Sequence, residues 1–336
     1  MNVRKAVIPV AGRGLRSCGA GGAVPQALLP LVDRDGFVKP VVQIIAEEAI
    51  DSGIEEIVLV TAPGEEAVYR RCFTGDGGAE QDIGTSPVHD QHTARLAGVG
   101  RRLRYVVQER PAGFGHAVWC AREAVGSEPF LLLVGDHLCI SGESRRCARQ
   151  VLDLAAEREC SVAAVQATRE HLIHRYGTVA GRRLAGCSNV FQIERMIEKP
   201  TPSIAEQHLH VPGLRVGHYL CLFGMQVLTP AIFDILEAEI ERRRPDEGVI
   251  ELTPAMQELA RREQFLAVQV NGRRYDIGNK YGLLESQIAL AMSGADREDV
   301  LARLMELLLQ SAQDRFTGTC AATGGASATG TVAPVA

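Results

Sequence analysis

Four short apolar runs constrain this chain most: KAVIPV (5–10), EEIVLVT (55–61), RLRYVVQ (102–108) and PFLLLVGD (129–136). Each is too short for a buried helix, and the segments between them carry a helical period, as in VKPVVQIIAEEAIDSG (38–53) and FGHAVWCAREAV (114–125). Strands without alternating polar positions must be covered on both faces. The pattern predicts an α/β fold with a mixed, mainly parallel sheet and helices on both faces. In such sheets ligands bind at the carboxyl ends of the strands, so those ends are where chemistry is expected.

Further on, CSVAAVQA, YGTVAG, VFQIERMIEK, HYLCLFGM and FLAVQVN read as strands of a second half that continues the sheet. TPAIFDILEAEIERRR and ELTPAMQELARRE read as amphipathic helices between them. Residues 74–101 are polar, glycine-rich and without clear period, which predicts a surface excursion. The expected organisation is one catalytic domain over 1–294, a C-terminal helix over 295–316 whose leucines must cover something, and a low-complexity disordered tail over 317–336. That leucine-rich helix also points to a homo-oligomer.

Composition narrows the function classes. A net charge of −5 over 336 residues argues against a general nucleic-acid binder. Nine cysteines without a CxxC pair suit free thiols in a reducing cytoplasm better than disulfides or a zinc site. The apolar run after the basic start is too short for a secretory signal, and no run reaches the length of a membrane span, so a cytoplasmic protein is expected.

The first strand runs into PVAGRGLRSCGAGGAVPQALLP (9–30), with five glycines in eleven positions, Arg13, Arg16 and no carboxylate. Such a loop suits a polyphosphate. A dinucleotide fingerprint lacks its third glycine here, no GK[ST] exists for a P-loop, and a plain glycine-rich turn is the bland alternative. Other strand ends add candidates. Gln108 precedes the turn ERPAGFG, and its amide can meet a base edge, or it is a solvated strand end. Asp136 follows an apolar run and suits a first Mg2+ ligand or, alternatively, a helix N-cap. Glu198 and Lys199 end a strand before Pro200 and can hold sugar hydroxyls and a phosphate, or form a surface ion pair. Asp276, in RRYDIGNKYG, is a second strand-end carboxylate before a glycine turn. His137, beside Asp136, has no assigned role.

In this order, KAVIPVAGRGLRS…VPQALLPLVD, QERPAGFGHAV, VGDHL, YGTV, IEKP and YDIGNKYG resemble the bacterial UTP:glucose-1-phosphate uridylyltransferases of the sugar nucleotidyltransferase family, over roughly residues 3–292. The resemblance implies a Rossmann-like catalytic domain, dependence on Mg2+, and formation of UDP-glucose and pyrophosphate from UTP and glucose 1-phosphate. It places the uracil and ribose on Ala11, Gly12, Gln108 and Gly113, and the triphosphate on Gly14 and Arg16. It gives the metal to Asp136 and Asp276, the sugar hydroxyls to Gly177 and Glu198, and the sugar phosphate to Lys199. One station departs: where the family closes the loop with Pro-Lys-Glu, this chain reads Pro25-Gln26-Ala27. Gln26 brings a donor without charge. The rival readings are therefore an impaired homologue that senses sugar nucleotides, and an enzyme of the same chemistry with another NTP or sugar phosphate.

Overall fold

The computed structural model describes residues 1–12, 24–74, 87–243 and 248–323. Its strands, in chain order, are β1 (Lys5–Pro9), β2 (Pro30–Val32), β3 (Val38–Pro40), β4 (Glu56–Thr61), β5 (Leu103–Val107), β6 (Phe130–Leu133), β7 (His137–Ser141), β8 (Ser161–Arg169), β9 (Thr178–Arg183), β10 (Val190–Ile197), β11 (His218–Leu228), β12 (Phe265–Gln269) and β13 (Gly272–Asp276). Nine of them form one sheet in the order β5-β4-β1-β6-β11-β8-β12-β10-β9. The first four are mutually parallel, as the apolar runs predict. β11 enters antiparallel to β6 and β8, and β9 pairs with both β10 and β11, so the second half curls back upon itself.

Alternate residues of each central strand serve opposite faces, which is why these strands carry no polar positions. Ile8, Ile57, Leu59 and Leu131 join one core with the helices Val41–Ile50 and Cys147–Arg158. Val7, Val58, Val60 and Leu132 join the other with Phe114–Cys120, Ala231–Arg242 and Leu252–Arg262. The mixed α/β architecture expected from sequence is the architecture observed.

Three local readings differ from the structure. VKPVVQIIAEEAIDSG does not begin as helix: Val38–Pro40 pairs with Pro30–Val32 as a hairpin, and the helix starts at Val41. Part of the expected irregular excursion is the helix Pro87–Gly100, held by buried Val99 and by Arg95, which bonds Glu47 at 3.2 Å and Asp51 at 3.1 Å. The last helix runs Arg297–Thr323, past Phe316.

The β2–β3 hairpin carries a fully buried lysine. Lys39 Nζ donates to Asp33 at 2.7 Å, Asp35 at 2.5 Å and Glu47 at 2.9 Å. Burial alone would pull its pKa down, but the hydrogen bonds from the three carboxylates outweigh that and hold the pKa above lysine's ordinary value. This ammonium fills the space among three acids that could otherwise hold a cation. Removing one partner from such a group leaves an uncompensated buried charge, so the hairpin is tightly fixed to the helix Val41–Ile50. On its other side Gln287 exchanges two hydrogen bonds with the Val32 backbone, at 2.9 and 3.0 Å. The hairpin thus sets the position of the segment just before it, which contains Gln26.

Candidate active site

The carboxyl ends of β1, β4, β5 and β6 are level. Val10 N–H bonds Val60 O at 2.8 Å, and Gln108 N–H bonds Thr61 O at 2.9 Å. Gly135 lies against the end of β1, where a Cβ would come within 2.6 Å of Pro9 O. Ala11 and Gly12, Gln108 and Asp136 therefore sit along one edge. At Gly12 an added Cβ would meet nothing within 4 Å among the described residues. Gly14, Arg16 and the rest of residues 13–23 lie outside the described residues.

Gln108 is buried, and both protons of its amide are engaged. Nε2 donates to Gly113 O at 3.1 Å and to His116 Nδ1 at 2.9 Å. A donor aimed at Nδ1 requires a neutral ring protonated on Nε2. Burial, helped by the Arg110 and Arg122 guanidiniums, lowers the His116 pKa and favours that form. Gln108 consequently presents its Oε1 acceptor, rather than the paired donor and acceptor edge read from sequence. Gly113 cannot be replaced easily: its φ is 115°, and a Cβ would stand 2.4 Å from Ile250 O. The turn is pinned to that segment by Gly115 N–H to Ile250 O at 2.8 Å and Ile250 N–H to Ala112 O at 2.7 Å.

Asp136 and Asp276 are far apart in sequence and adjacent in space. The cause is an antiparallel ribbon of β7 and β13, in which Asp276 is the register partner of His137. Ile277 N–H bonds the Asp136 carbonyl at 3.0 Å. Asp276 Oδ1 accepts from Gly278 N–H at 2.8 Å and Oδ2 from the Asn279 amide at 2.9 Å, which orients the carboxylate. A Cβ on Gly278 would lie 3.0 Å from Asp276 Oδ1, 3.2 Å from Asp136 Oδ2 and 3.5 Å from Gln26 Nε2. Both acids and Gln26 thus converge on one small space that glycine leaves open. Gln26 sits in a short 3-10 turn, Gln26–Leu28, and its Nε2 is buried without a hydrogen-bond partner among the described residues.

His137 closes the inner side of this space. Its Nδ1 is 3.3 Å from Asp136 Oδ1 and its Nε2 3.8 Å from Asp276 Oδ2, yet neither contact has hydrogen-bond geometry. Burial first, and the Arg274 guanidinium second, outweigh the opposing pull of Asp276 and lower its pKa to about 4, so the ring is neutral near pH 7. Arg274 in turn stacks over Tyr176, with 3.6 Å from guanidinium carbon to ring centroid, and donates to Leu222 O.

Through Tyr176 the metal-like cluster meets the second half of the site. Lys199 N–H bonds Tyr176 O at 3.2 Å. Lys199 has φ 44°, a left-handed conformation costing about 1–3 kcal/mol for a non-glycine residue and especially disfavoured before a proline such as Pro200. Its Nζ pairs with Glu198 Oε1 at 3.0 Å, and with 41% of the side chain exposed it remains accessible to a ligand. Glu198 Oε2 accepts from Thr253 Oγ1 at 2.6 Å. Gly177 packs into the same corner, where a Cβ would stand 2.7 Å from Leu222 and 3.0 Å from both Glu198 Oε2 and Thr253 Oγ1.

The sequence candidates among the described residues thus lie on one connected set of elements. Sequence reading missed Thr253 and Arg274, which act through other side chains and leave no local signature, and it quoted Gly278 and Asn279 within YDIGNKYG without giving them the bonds they make to Asp276. It also left His137 unassigned, although its place beside Asp136 was visible.

A mixed sheet with a glycine-loop edge, two convergent carboxylates and a glutamate–lysine pair defines a nucleotide-handling transferase site. The profile of the nucleotidyl transferase family matches residues 5–292, and the chain belongs to that family. It is similar to UTP–glucose-1-phosphate uridylyltransferase of Bacillus subtilis (strain 168), with 34% identity covering 91% of this chain and 97% of that one. It is likewise similar to UTP–glucose-1-phosphate uridylyltransferase 2 of Staphylococcus saprophyticus, with 32% identity covering 91% and 98%. Among solved structures it resembles a UDP-glucose pyrophosphorylase complexed with UDP-glucose, at 28% identity and TM-score 0.69 over 86% of this chain and 98% of that chain. UDP-glucose pyrophosphorylase from Acinetobacter baumannii gives 25% identity and TM-score 0.71 over 91% and 100%. Among the described residues no helix is long and apolar enough to cross a membrane.

Proposed function

We propose that this chain forms UDP-glucose and pyrophosphate from UTP and glucose 1-phosphate in the cytoplasm. The observation that carries the reading is the convergence of Asp136 and Asp276 over Gly278, at the edge where the glycine loop leaves β1. Two oxygens from different elements, one of them fixed by its own hydrogen bonds, with an open space between them, fit a hard divalent cation such as Mg2+. Bound there, Mg2+ would offset charge on the phosphate oxygens as pyrophosphate leaves.

The chain's own residues supply placement. Gln108 Oε1 accepts the N3–H of uracil, while Ala11, Gly12 and Gly113 let the base and ribose lie against backbone. Gly14 and Arg16, outside the described residues, hold the triphosphate. Glu198, fixed by Thr253, and Gly177 receive the sugar hydroxyls, and Lys199 holds the sugar phosphate. A phosphate oxygen of glucose 1-phosphate bonds to the α-phosphorus as the bond to the β-phosphate oxygen breaks in line. No protein nucleophile or base is needed, because the attacking phosphate is already ionised. The reverse reaction must use the same site, so UDP-glucose and pyrophosphate with Mg2+ should yield UTP and glucose 1-phosphate, with none formed in EDTA. Turnover in neither direction would favour the second reading, a sugar-nucleotide sensor, which uncharged Gln26 supports.

Gln108→Leu keeps the side-chain bulk and removes the acceptor together with the amide's bonds to Gly113 O and His116 Nδ1. It is expected to raise the Kd for UTP by about 10-fold or more, the scale of one buried hydrogen bond to an otherwise unpaired group. Isothermal titration checks this, and an unchanged Kd would remove Gln108 from the uracil site.

Assembly follows from exposed apolar surface. Met305, Leu308 and Leu309, spaced three and four residues apart on the helix Arg297–Thr323, are 56%, 70% and 62% exposed, and Tyr281 and Leu284 on the adjoining helix Gly282–Met292 and its cap are exposed too. A face of this kind is expected to meet a second copy. Multi-angle light scattering should give at least a dimer at micromolar concentration, and Leu308→Glu should shift it toward monomer. A wild-type monomer would contradict the assignment.

A further inference from the structure

We propose that His137 is a third protein ligand of the divalent cation, making a two-carboxylate, one-imidazole site that takes Mn2+ in preference to Mg2+. The inference rests on the placing of the cation at Asp136 and Asp276. One oxygen from each of these acids and one ring nitrogen of His137 lie within 4.8 Å of one another. Ligands about 2.0–2.2 Å from a common ion are separated by up to about 4.4 Å, so only small adjustments bring all three onto one centre.

The ring is also fixed there. Gly224, with φ 95°, lets the β11 backbone press on it, and a Cβ at that position would stand 3.0 Å from Nδ1. Tyr176 closes another side at 6.3 Å between ring centroids, and Arg274 lies behind. Both ring nitrogens are buried, and neither has a hydrogen bond among the described residues. A buried imidazole without partners, placed between two carboxylates, has the lone pair and the position of a ligand. The register pairing of His137 with Asp276 places the ring and that carboxylate on one face of the ribbon.

Donor chemistry then sets the preference. Mg2+ favours an all-oxygen shell with several waters, whereas an imidazole nitrogen adds to the binding of first-row transition ions, least for Mn2+ and more for the later ones, and adds little for Mg2+. The carboxylates alone would not make this distinction.

Pulsed EPR of the full-length protein with Mn2+ alone should show the nitrogen modulation of a directly coordinated imidazole, a readout that needs no variant and no turnover. In His137→Asn the modulation should vanish and Mn2+ affinity fall about tenfold or more, with Mg2+ affinity, from competition, falling much less. Asp276→Asn should remove Mn2+ binding whether or not His137 is a ligand. Mn2+ bound in the wild type without nitrogen modulation, or bound equally by His137→Asn, overturns the role of His137 and leaves the carboxylate site standing. Failure of Mn2+ to bind any form overturns both.

Discussion

Asp276→Asn is expected to lower the rate of UDP-glucose formation by about 10²- to 10³-fold, the scale on which a preorganised electrostatic contact to a transition state acts. The substitution preserves shape, and its carbonyl oxygen can keep one of the two hydrogen bonds, from Gly278 N–H or from the Asn279 amide, while its NH2 faces the other donor. What is lost is half of the carboxylate charge that holds a divalent cation. Circular dichroism should therefore stay unchanged while kcat collapses and the dependence on Mg2+ concentration moves upward. Asp276→Asn at wild-type rates would remove Asp276 from the metal site.

Gln26→Lys is expected to act in the opposite direction. Gln26 Nε2 is buried, unpartnered among the described residues, and shares with both aspartates the space over Gly278. An ammonium there would face phosphate oxygens beside a cluster of negative charge and lower the barrier by about 1–4 kcal/mol, a gain in kcat of about tenfold or more. Rate should rise more than affinity, because the charge builds on the leaving pyrophosphate. If the variant only tightened UTP without faster turnover, the chain would be a binder whose remaining groups are misplaced. If the wild type already turned over at ordinary rates and the variant were no faster, Gln26 would not be a deficit, and another cation would supply the charge.

The parts of the site legible in the sequence are those where one local run both builds and ends an element. KAVIPV before Ala11 and Gly12 and PFLLLVGD ending at Asp136 each announce a buried strand and mark its carboxyl end, whereas RLRYVVQ, ending at Gln108, marks a strand end correctly but forms the half-buried edge strand β5 rather than a buried one. What the sequence hides is non-local. The pairing of His137 with Asp276 depends on a short ribbon with half-exposed residues, and neither strand has a strong apolar pattern. The β2–β3 hairpin is built around a buried lysine, which composition rules place on the surface, and only the three facing carboxylates make it stable there. The helix Pro87–Gly100 has only a weak apolar stripe, and its glycines and histidines read as loop until Val99 is seen packed in the core. Thr253 acts only through Glu198, so no spacing rule could have found it.

The most direct test is pyrophosphate release by the wild-type chain with Mg2+, using UTP, dTTP, CTP, ATP and GTP each paired with glucose 1-phosphate and with galactose, mannose and N-acetylglucosamine 1-phosphates. The account predicts release that requires both substrates, is greatest for UTP with glucose 1-phosphate, and gives UDP-glucose as the second product. No release with any pair, or a maximum at a different nucleotide and sugar, would contradict it.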